Sequence, residues 1–145
     1  EAYANGCKQV CFLDDVTASH IEELGGMNVF VVRADGSVVT PRLSGTILEG
    51  CTRSAIIELL KSEGTSVSEA DLTLSSLLDD VRSGQVSEIF ACGTAAVVTP
   101  IGALKGKDFE VRLEAGPVTS HIHQRLTGIQ FGKVEDEFGW MYRLA

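Results

Sequence analysis

The dipeptide Asp35-Gly36, set between two apolar runs, constrains the fold more than any other feature of this sequence. The run before it, residues 27–33, has apolar side chains on both faces of an extended chain, which predicts a buried strand. The run after it, residues 38–40, is rich in β-branched residues. Because Asp-Gly favours a two-residue turn with positive φ angles, the whole segment predicts a β-hairpin.

Further strands and helices are predicted around this hairpin. The predicted strands are residues 10–13, 86–91, 95–104 and 109–113, with the polar residues 14–23 as a connection. Pro100 is expected at a sheet edge or bulge, since it cannot donate to a ladder. Helical spacing of apolar residues predicts helices at 52–63, at 74–82 and from Pro117 onward. Residues 1–6 resemble a last helical turn that ends at Gly6.

Composition and charge narrow the class of protein. With 145 residues, 44% of them hydrophobic, the chain is expected to be a single packed domain over residues 1–145. The excess of 20 acidic over 12 basic residues gives a net charge of −8, which disfavours nucleic acid and anionic membrane as partners. No apolar stretch approaches the roughly 20 residues of a membrane span, and no leader pattern opens the chain. A cytoplasmic protein with reduced thiols is therefore expected.

Two segments of small residues suggest binding of an anion. Gly50, Cys51 and Thr52 stand at the start of a predicted helix, where unpaired N–H groups and the helix dipole attract phosphate. The alternative is that Thr52 or Gly50 only caps that helix. Thr94 and Ala95 follow a predicted buried strand, where backbone donors and a hydroxyl can face a ligand, although a tight chain reversal explains them equally well.

Glu23 and the pair of histidines near the C-terminus could also have functional roles, but each has a simpler structural explanation. Glu23 precedes two glycines and a buried strand, where a carboxylate can be held inside a site, but loop glutamates more often lie in water. His121 and His123 are two residues apart on a predicted helix and point to nearly opposite sides, so they cannot share a metal ion. The residues alone therefore support an α/β domain with an anion pocket.

A resemblance adds to this interpretation. Taken in order, residues 21–30, 48–53 and 90–96 resemble the fold-type IV pyridoxal-phosphate aminotransferases, and within them the branched-chain amino acid aminotransferases. Residues 127–132 and the closing Gly139-Trp140 are similar as well. The resemblance implies mixed, largely antiparallel sheets with packed helices, as in the large domain of the D-amino acid aminotransferase-like fold. It also implies that the chain is the truncated C-terminal domain of a longer homodimeric enzyme.

The resemblance also implies roles for residues around pyridoxal 5'-phosphate. Glu23 matches the carboxylate that hydrogen-bonds the pyridine nitrogen, and Leu48 matches the residue against the ring face. Cys51 and Thr52 match the backbone N–H groups that bind the phosphate, with Gly50 beside them. Thr94 matches a residue whose hydroxyl contacts the phosphate, and Ala95 matches one whose N–H contacts the substrate carboxylate. Gly26 matches a residue near the same pocket.

The resemblance implies an amino-group transfer from leucine, isoleucine or valine to 2-oxoglutarate. The family's Schiff-base lysine lies upstream of the Glu23 motif, and Lys8 lacks its sequence context. The chain is therefore expected to hold no catalytic residue, to be inactive without its N-terminal domain, and to bind the cofactor weakly. The alternatives are a D-amino acid aminotransferase or aminodeoxychorismate lyase of the same fold type, a non-catalytic phosphate-binding module, and an interaction domain.

Overall fold

The structure, a computed structural model, describes residues 2–142 and 144. Those residues form a short 3-10 helix (Tyr3–Asn5), nine strands and three α-helices. The strands are β1 (Cys11–Leu13), β2 (Ile21–Leu24), β3 (Asn28–Arg33), β4 (Val38–Pro41), β5 (Val67–Ala70), β6 (Val86–Gly93), β7 (Val97–Pro100), β8 (Ala103–Lys105) and β9 (Glu110–Arg112). The helices are α1 (Cys51–Ser62), α2 (Leu74–Ser83) and α3 (Pro117–Gln130).

Five strands form a central sheet in the order β5-β4-β3-β6-β7, while β1-β2 and β8-β9 form two separate ribbons. The pair β4-β5 is parallel, and the other pairs of strands are antiparallel. Helix α1 lies between β4 and β5 in the chain and supplies the crossover that a parallel pair requires. The prediction of mixed, largely antiparallel sheets with packed helices is confirmed.

Strand β3 runs through the middle of the sheet and is covered on both faces. Phe30 and Val32 pack with α1 and α3 on one face, and Val29 and Val31 pack toward α2 on the other. Phe30 stacks on Phe90 of β6 with ring centroids 5.0 Å apart. This confirms the predicted buried strand, since both sets of alternating side chains are withdrawn from water.

The predicted hairpin is confirmed, but its turn is of another type. Strands β3 and β4 pair through Val31 with Val39 and Val32 with Val38. Within the turn only Gly36 has a positive φ, 84°, so Asp35 does not adopt the expected left-handed conformation. Its carboxylate instead accepts bonds from the Ser37 hydroxyl (2.7 Å) and N–H (2.9 Å), and these bonds lower the pKa of Asp35.

The three predicted helices are confirmed to within one or two residues at the ends that were specified. Helix α1 presents Ile56, Leu59 and Leu60 to the core. Helix α2 ends at Gly84, whose φ is 77°. Helix α3 starts at Pro117 and buries one stripe of apolar residues: Ile122, Leu126 and Ile129. At the front of the chain, Gly6 ends the 3-10 helix with a φ of 75°, while Glu1 lies outside the described residues.

Two predicted segments have a different structure. Residues 14–23 are not only a connection, because β2 begins at Ile21. Its apolar residues are three apart, as in a helix, and become buried only through tertiary packing, so the pattern hid the strand. Residues 95–104 are not one strand either, since they divide into β7 and β8, which belong to different sheets. Pro100 ends β7 at the edge of the central sheet, as predicted.

Candidate functional site

One end of the central sheet brings together three of the segments that the sequence singled out. Asn28, the first residue of β3, is paired with Cys92 near the end of β6. The Gly25-Gly26 turn leads into β3, and Thr94 follows β6. The turn and the end of β6 are in close contact, because a Cβ on Gly93 would lie 3.3 Å from Met27 Cγ and 3.7 Å from Gly26 O.

The start of α1 is attached to this end of the sheet by Asn28. The Asn28 Nδ2 group donates a hydrogen bond to Leu48 O at 2.8 Å, and a Cβ on Gly50 would overlap Asn28 Oδ1. Gly50 also has a φ of 70°, which side chains rarely adopt. The loop before α1 therefore reaches the first residue of β3. Gly26, Leu48 and Gly50 all lie near Asn28.

The N-terminus of α1 is open to a ligand. Gly50 is the N-cap residue, and no side chain of the described residues accepts a hydrogen bond from the first turn. The other two α-helices differ. In α2 the Thr73 hydroxyl accepts from Ser76 N–H (3.2 Å), and in α3 the Glu88 carboxylate accepts from Val118 and Thr119 N–H (3.0 and 2.8 Å). The donors at Cys51 and Thr52 are therefore available to an anion, and Thr52 is not the cap.

Arg53 connects the first turn of α1 to strands β4 and β5. It is only 3% exposed, and its Nη2 donates to Pro41 O at 3.0 Å and to Glu69 Oε2 at 2.6 Å. Its Nε is buried without a hydrogen-bond partner. A cation in the first turn opposes the helix dipole, so a bound anion would offset an unfavourable arrangement. The sequence analysis did not identify Arg53 or Asn28, since neither has a distinctive local pattern.

Glu23 lies in β2, one residue before the Leu24 that leads into the Gly25-Gly26 turn. It is half-buried, and no donor of the described residues bonds its carboxylate. Its neighbour Glu22 points to the other face of the strand and accepts a hydrogen bond from the Thr46 hydroxyl in the loop that leads to α1. Two loop contacts, Glu22 with Thr46 and Asn28 with Leu48, thus connect the Glu23 segment to the segment before α1.

The remaining candidate residues are exposed around the same end of the sheet. Thr94 and Ala95 form the turn between β6 and β7, where Gly93 pairs with Val97. Leu48 is 73% exposed, which is unusual for a leucine whose backbone is held by a buried side chain. These groups offer a hydroxyl, backbone donors and an apolar surface next to the α1 N-terminus. The cofactor and substrate contacts expected of them stay predictions.

Two other groups with functional potential have structural explanations. The Cys92 thiol is fully buried, and burial raises its pKa to about 12 despite the opposing charge of Arg53. A thiol in this state is protonated at neutral pH and is not a nucleophile. His121 Nε2 lies 2.7 Å from Glu63 Oε2 and binds that carboxylate. In residues 2–142 and 144 no group of three or more His, Cys, Asp or Glu side chains could hold a metal ion.

The fold and this site define a class of protein. The family model for "Amino-transferase class IV" matches residues 1–104. The chain therefore belongs to the class IV aminotransferase family.

Relatives narrow this further. The chain is 42% identical over its full length to the branched-chain-amino-acid aminotransferase of Mycobacterium tuberculosis strain H37Rv. It is 41% identical over its full length to a probable branched-chain-amino-acid aminotransferase of Streptomyces coelicolor. It spans 41% of the length of both relatives.

Solved structures of the same enzymes have the same fold. The crystal structure of the Escherichia coli branched-chain amino acid aminotransferase matches 96% of this chain and 43% of its own, with a TM-score of 0.80 and 35% identity. The branched-chain aminotransferase of the archaeon Thermoproteus uzoniensis with norvaline matches 95% of this chain and 42% of its own, with a TM-score of 0.79 and 32% identity. The predicted fold type IV architecture is thereby confirmed. None of the helices in the described part of the chain has the length and apolar character to span a membrane.

Proposed function

We propose that this chain is the cofactor-binding part of a branched-chain amino acid aminotransferase that uses pyridoxal 5'-phosphate. The observation that carries the proposal is the α1 N-terminus, which has no side-chain acceptor among the described residues and is attached through Asn28 to the end of β3. Such a terminus suits a phosphate, and the relatives of this chain are named as aminotransferases of branched-chain amino acids. The substrates would be leucine, isoleucine or valine and their 2-oxo acids.

In this proposal the first turn of α1 binds the phosphate through the N–H groups of Cys51 and Thr52. Gly50 permits a close approach, because it has no side chain in the way. The Thr94 hydroxyl donates a further hydrogen bond to the same phosphate. The positive end of the α1 dipole also favours an anion there.

The pyridine ring would pack one face against Leu48 and direct its nitrogen toward the half-buried Glu23. When bound, the cofactor acts as an electron sink for the substrate carbanion. The carboxylate of Glu23 would accept a hydrogen bond from the ring nitrogen and keep that nitrogen protonated. Leu48 would exclude water from one ring face, which gives its exposed side chain a partner. Gly26 and the Ala95 N–H would face the substrate carboxylate.

The chain is proposed to be one domain, and the reacting amine and the base are proposed to lie outside it. The family's Schiff-base lysine has no counterpart at Lys8, so the 145-residue chain is expected to be inactive by itself. In this proposal an N-terminal domain and a second copy complete a cytoplasmic homodimer. No transamination of leucine is expected from the purified chain with added cofactor. Turnover at an enzyme-like rate would contradict the assignment of the lysine.

A ligand titration tests the proposal on the chain itself. Pyridoxal 5'-phosphate, AMP and inorganic phosphate are each titrated into the ¹⁵N-labelled chain and followed by NMR. All three are expected to shift the amides of the first turn of α1, but only pyridoxal 5'-phosphate is expected to shift Glu23 and Leu48. Equal affinity for the three ligands would instead support a non-catalytic phosphate-binding module.

The choice among enzymes of the same fold type needs the full-length protein. Leucine is expected to be a better amino donor than D-alanine, and aminodeoxychorismate is expected not to react. A preference for D-alanine or for aminodeoxychorismate would support the corresponding alternative enzyme and contradict the branched-chain assignment.

A further inference from the structure

Asn28 is a buried amide at the point where the sheet meets the loop before α1. It is 7% exposed, and its backbone pairs with Cys92 of the neighbouring strand. Its side chain is therefore not needed for the ladder of β3. The Nδ2 group donates to Leu48 O at 2.8 Å, a partner 20 residues further along the chain. That bond is the contact by which the strand holds the loop.

The contact with Leu48 does more than satisfy one buried polar group. Leu48 is 73% exposed, so burial of its own side chain does not fix its backbone, whereas the adjacent Ile47 is buried at 7% exposure. The other amide atom, Asn28 Oδ1, lies where a Cβ of Gly50 would be. One side chain therefore contacts both Leu48, the residue under the proposed ring, and Gly50, the residue that caps α1.

We infer that Asn28 is a positioning residue of the proposed cofactor site. It touches neither the ring nor the phosphate in this inference, and it acts by holding Leu48 O and by filling the space beside Gly50. The first-turn N–H groups of α1 then keep a direction that suits the phosphate before the ligand arrives. The inference rests on the proposed function, because it assigns to Asn28 the pre-organisation of that same site.

Thr40 supplies a matched control for a variant of Asn28. Its hydroxyl donates to Val29 O at 2.8 Å, so Thr40→Val also removes one buried hydrogen bond from a side chain to a backbone carbonyl. Thr40 is 0% exposed and lies in β4, next to β3. Its hydroxyl bonds the strand and not the loop before α1. A loss that is merely structural should therefore be similar in the two variants.

The experiment compares Asn28→Ala, Asn28→Leu and Thr40→Val in the 145-residue chain. Asn28→Leu keeps the approximate shape of the side chain, adds no charge beside the proposed phosphate site and loses the N–H donor, which keeps the test valid if the alanine variant does not fold. Amide hydrogen exchange of Ser54 is the first readout, because its N–H donates to Gly50 O at 3.0 Å and reports the first turn of α1. Affinity for pyridoxal 5'-phosphate is the second readout.

Both Asn28 variants are expected to exchange the Ser54 amide at least tenfold faster than Thr40→Val, with Leu59 further along α1 unchanged. Their affinity for pyridoxal 5'-phosphate is expected to fall about fivefold or more, the equivalent of one hydrogen bond, while Thr40→Val keeps its affinity. If the Asn28 variants bind as tightly as Thr40→Val, the inference is wrong and the proposed function stands. If the unaltered chain does not prefer pyridoxal 5'-phosphate to AMP, the proposed function is wrong and the inference falls with it.

Discussion

Two neighbouring glutamates in β2 have different environments. Glu22 bonds the Thr46 hydroxyl, whereas the half-buried Glu23 has no donor among the described residues. The Glu23 carboxylate is therefore open to a hydrogen bond from a ligand. This contrast supports the role proposed for Glu23 and provides a control at the adjacent position.

The first prediction compares Glu23→Gln with Glu22→Gln. A neutral amide can accept a hydrogen bond from the pyridine nitrogen but does not stabilise its positive charge, so Glu23→Gln is expected to weaken binding of pyridoxal 5'-phosphate about tenfold, the effect of one pKa unit of lost interaction. Glu22→Gln alters the same charge but keeps an acceptor for Thr46, and its affinity is expected to stay within about twofold. Calorimetric titration of each variant provides the measurement. Equal losses in the two variants would show that net charge, rather than contact with the ring, controls binding.

Arg53 shows why some important residues escape a sequence analysis. In sequence it is one of several polar residues at a helix start, and exposure is the usual state of arginine. Its burial depends on Glu69, which is 16 residues away and reaches it only because β5 pairs with β4. The unpartnered Nε makes this arrangement costly by itself. Only the assembled fold shows the reason for the residue.

Helix α3 is capped at its N-terminus by a residue that is distant in the sequence. Glu88 of β6 is 3% exposed and accepts from the N–H groups of Val118 and Thr119 and from the Thr119 hydroxyl (2.6 Å). A Cβ on Gly116 would overlap its carboxylate, so the glycine gives Glu88 access to the helix. The carboxylate also interacts favourably with the positive end of the helix dipole.

A second prediction concerns this cap. Glu88→Ala leaves three donors without their acceptor at a buried helix end, so the free energy of unfolding is expected to fall by about 2–3 kcal/mol. Thr73→Ala is the matched control, since it removes the exposed local cap of α2 and is expected to cost about 1 kcal/mol. Urea denaturation of both variants gives the comparison. An effect of Glu88→Ala no larger than that of Thr73→Ala would mean that water replaces the carboxylate at the start of α3.

Two thiols, the buried Cys92 and the half-buried Cys11, make stability depend on pH. Burial raises the pKa of Cys11 to about 11 and that of Cys92 to about 12, from an ordinary value of 9.0. A raised pKa in the folded state means that the stabilisation is complete below pH 9 and is lost as the pH rises toward the folded value. The unfolded chain ionises first, so alkali favours unfolding.

The third prediction follows from Cys92. Between pH 9 and about 12 this thiol is expected to lower the free energy of unfolding by about 1.4 kcal/mol for each pH unit. Cys92→Ala should reduce the slope of stability against pH by that amount, whereas Cys51→Ala, which removes an exposed thiol, should not change it. Thermal or urea unfolding at several pH values under reducing conditions tests this. An unchanged slope in Cys92→Ala would mean that Cys92 ionises as readily in the folded chain as in the unfolded one.

Local sequence patterns are enough to predict the β3-β4 hairpin, the three α-helices and the glycine-rich segments at the candidate site. Each of these depends on residues close together in the chain, such as Asp35-Gly36 or the apolar stripe of α3, and local physics is enough to specify them. The motifs in residues 21–30, 48–53 and 90–96 also predict the family. These patterns did not specify β2, β5, the division of residues 95–104 or the type of the hairpin turn.

The side chains that assemble the candidate site and hold it in place are brought together by long-range contacts. The bonds from Asn28 to Leu48, from Arg53 to Glu69 and from Glu88 to α3 join residues 16 to 31 positions apart. The partners come into contact because strands pair and helices pack. The sequence near each residue does not indicate which distant residue it will contact. Local patterns fix an element when its own hydrogen bonds and periodicity suffice, whereas a buried polar contact exists only after distant segments have excluded water together.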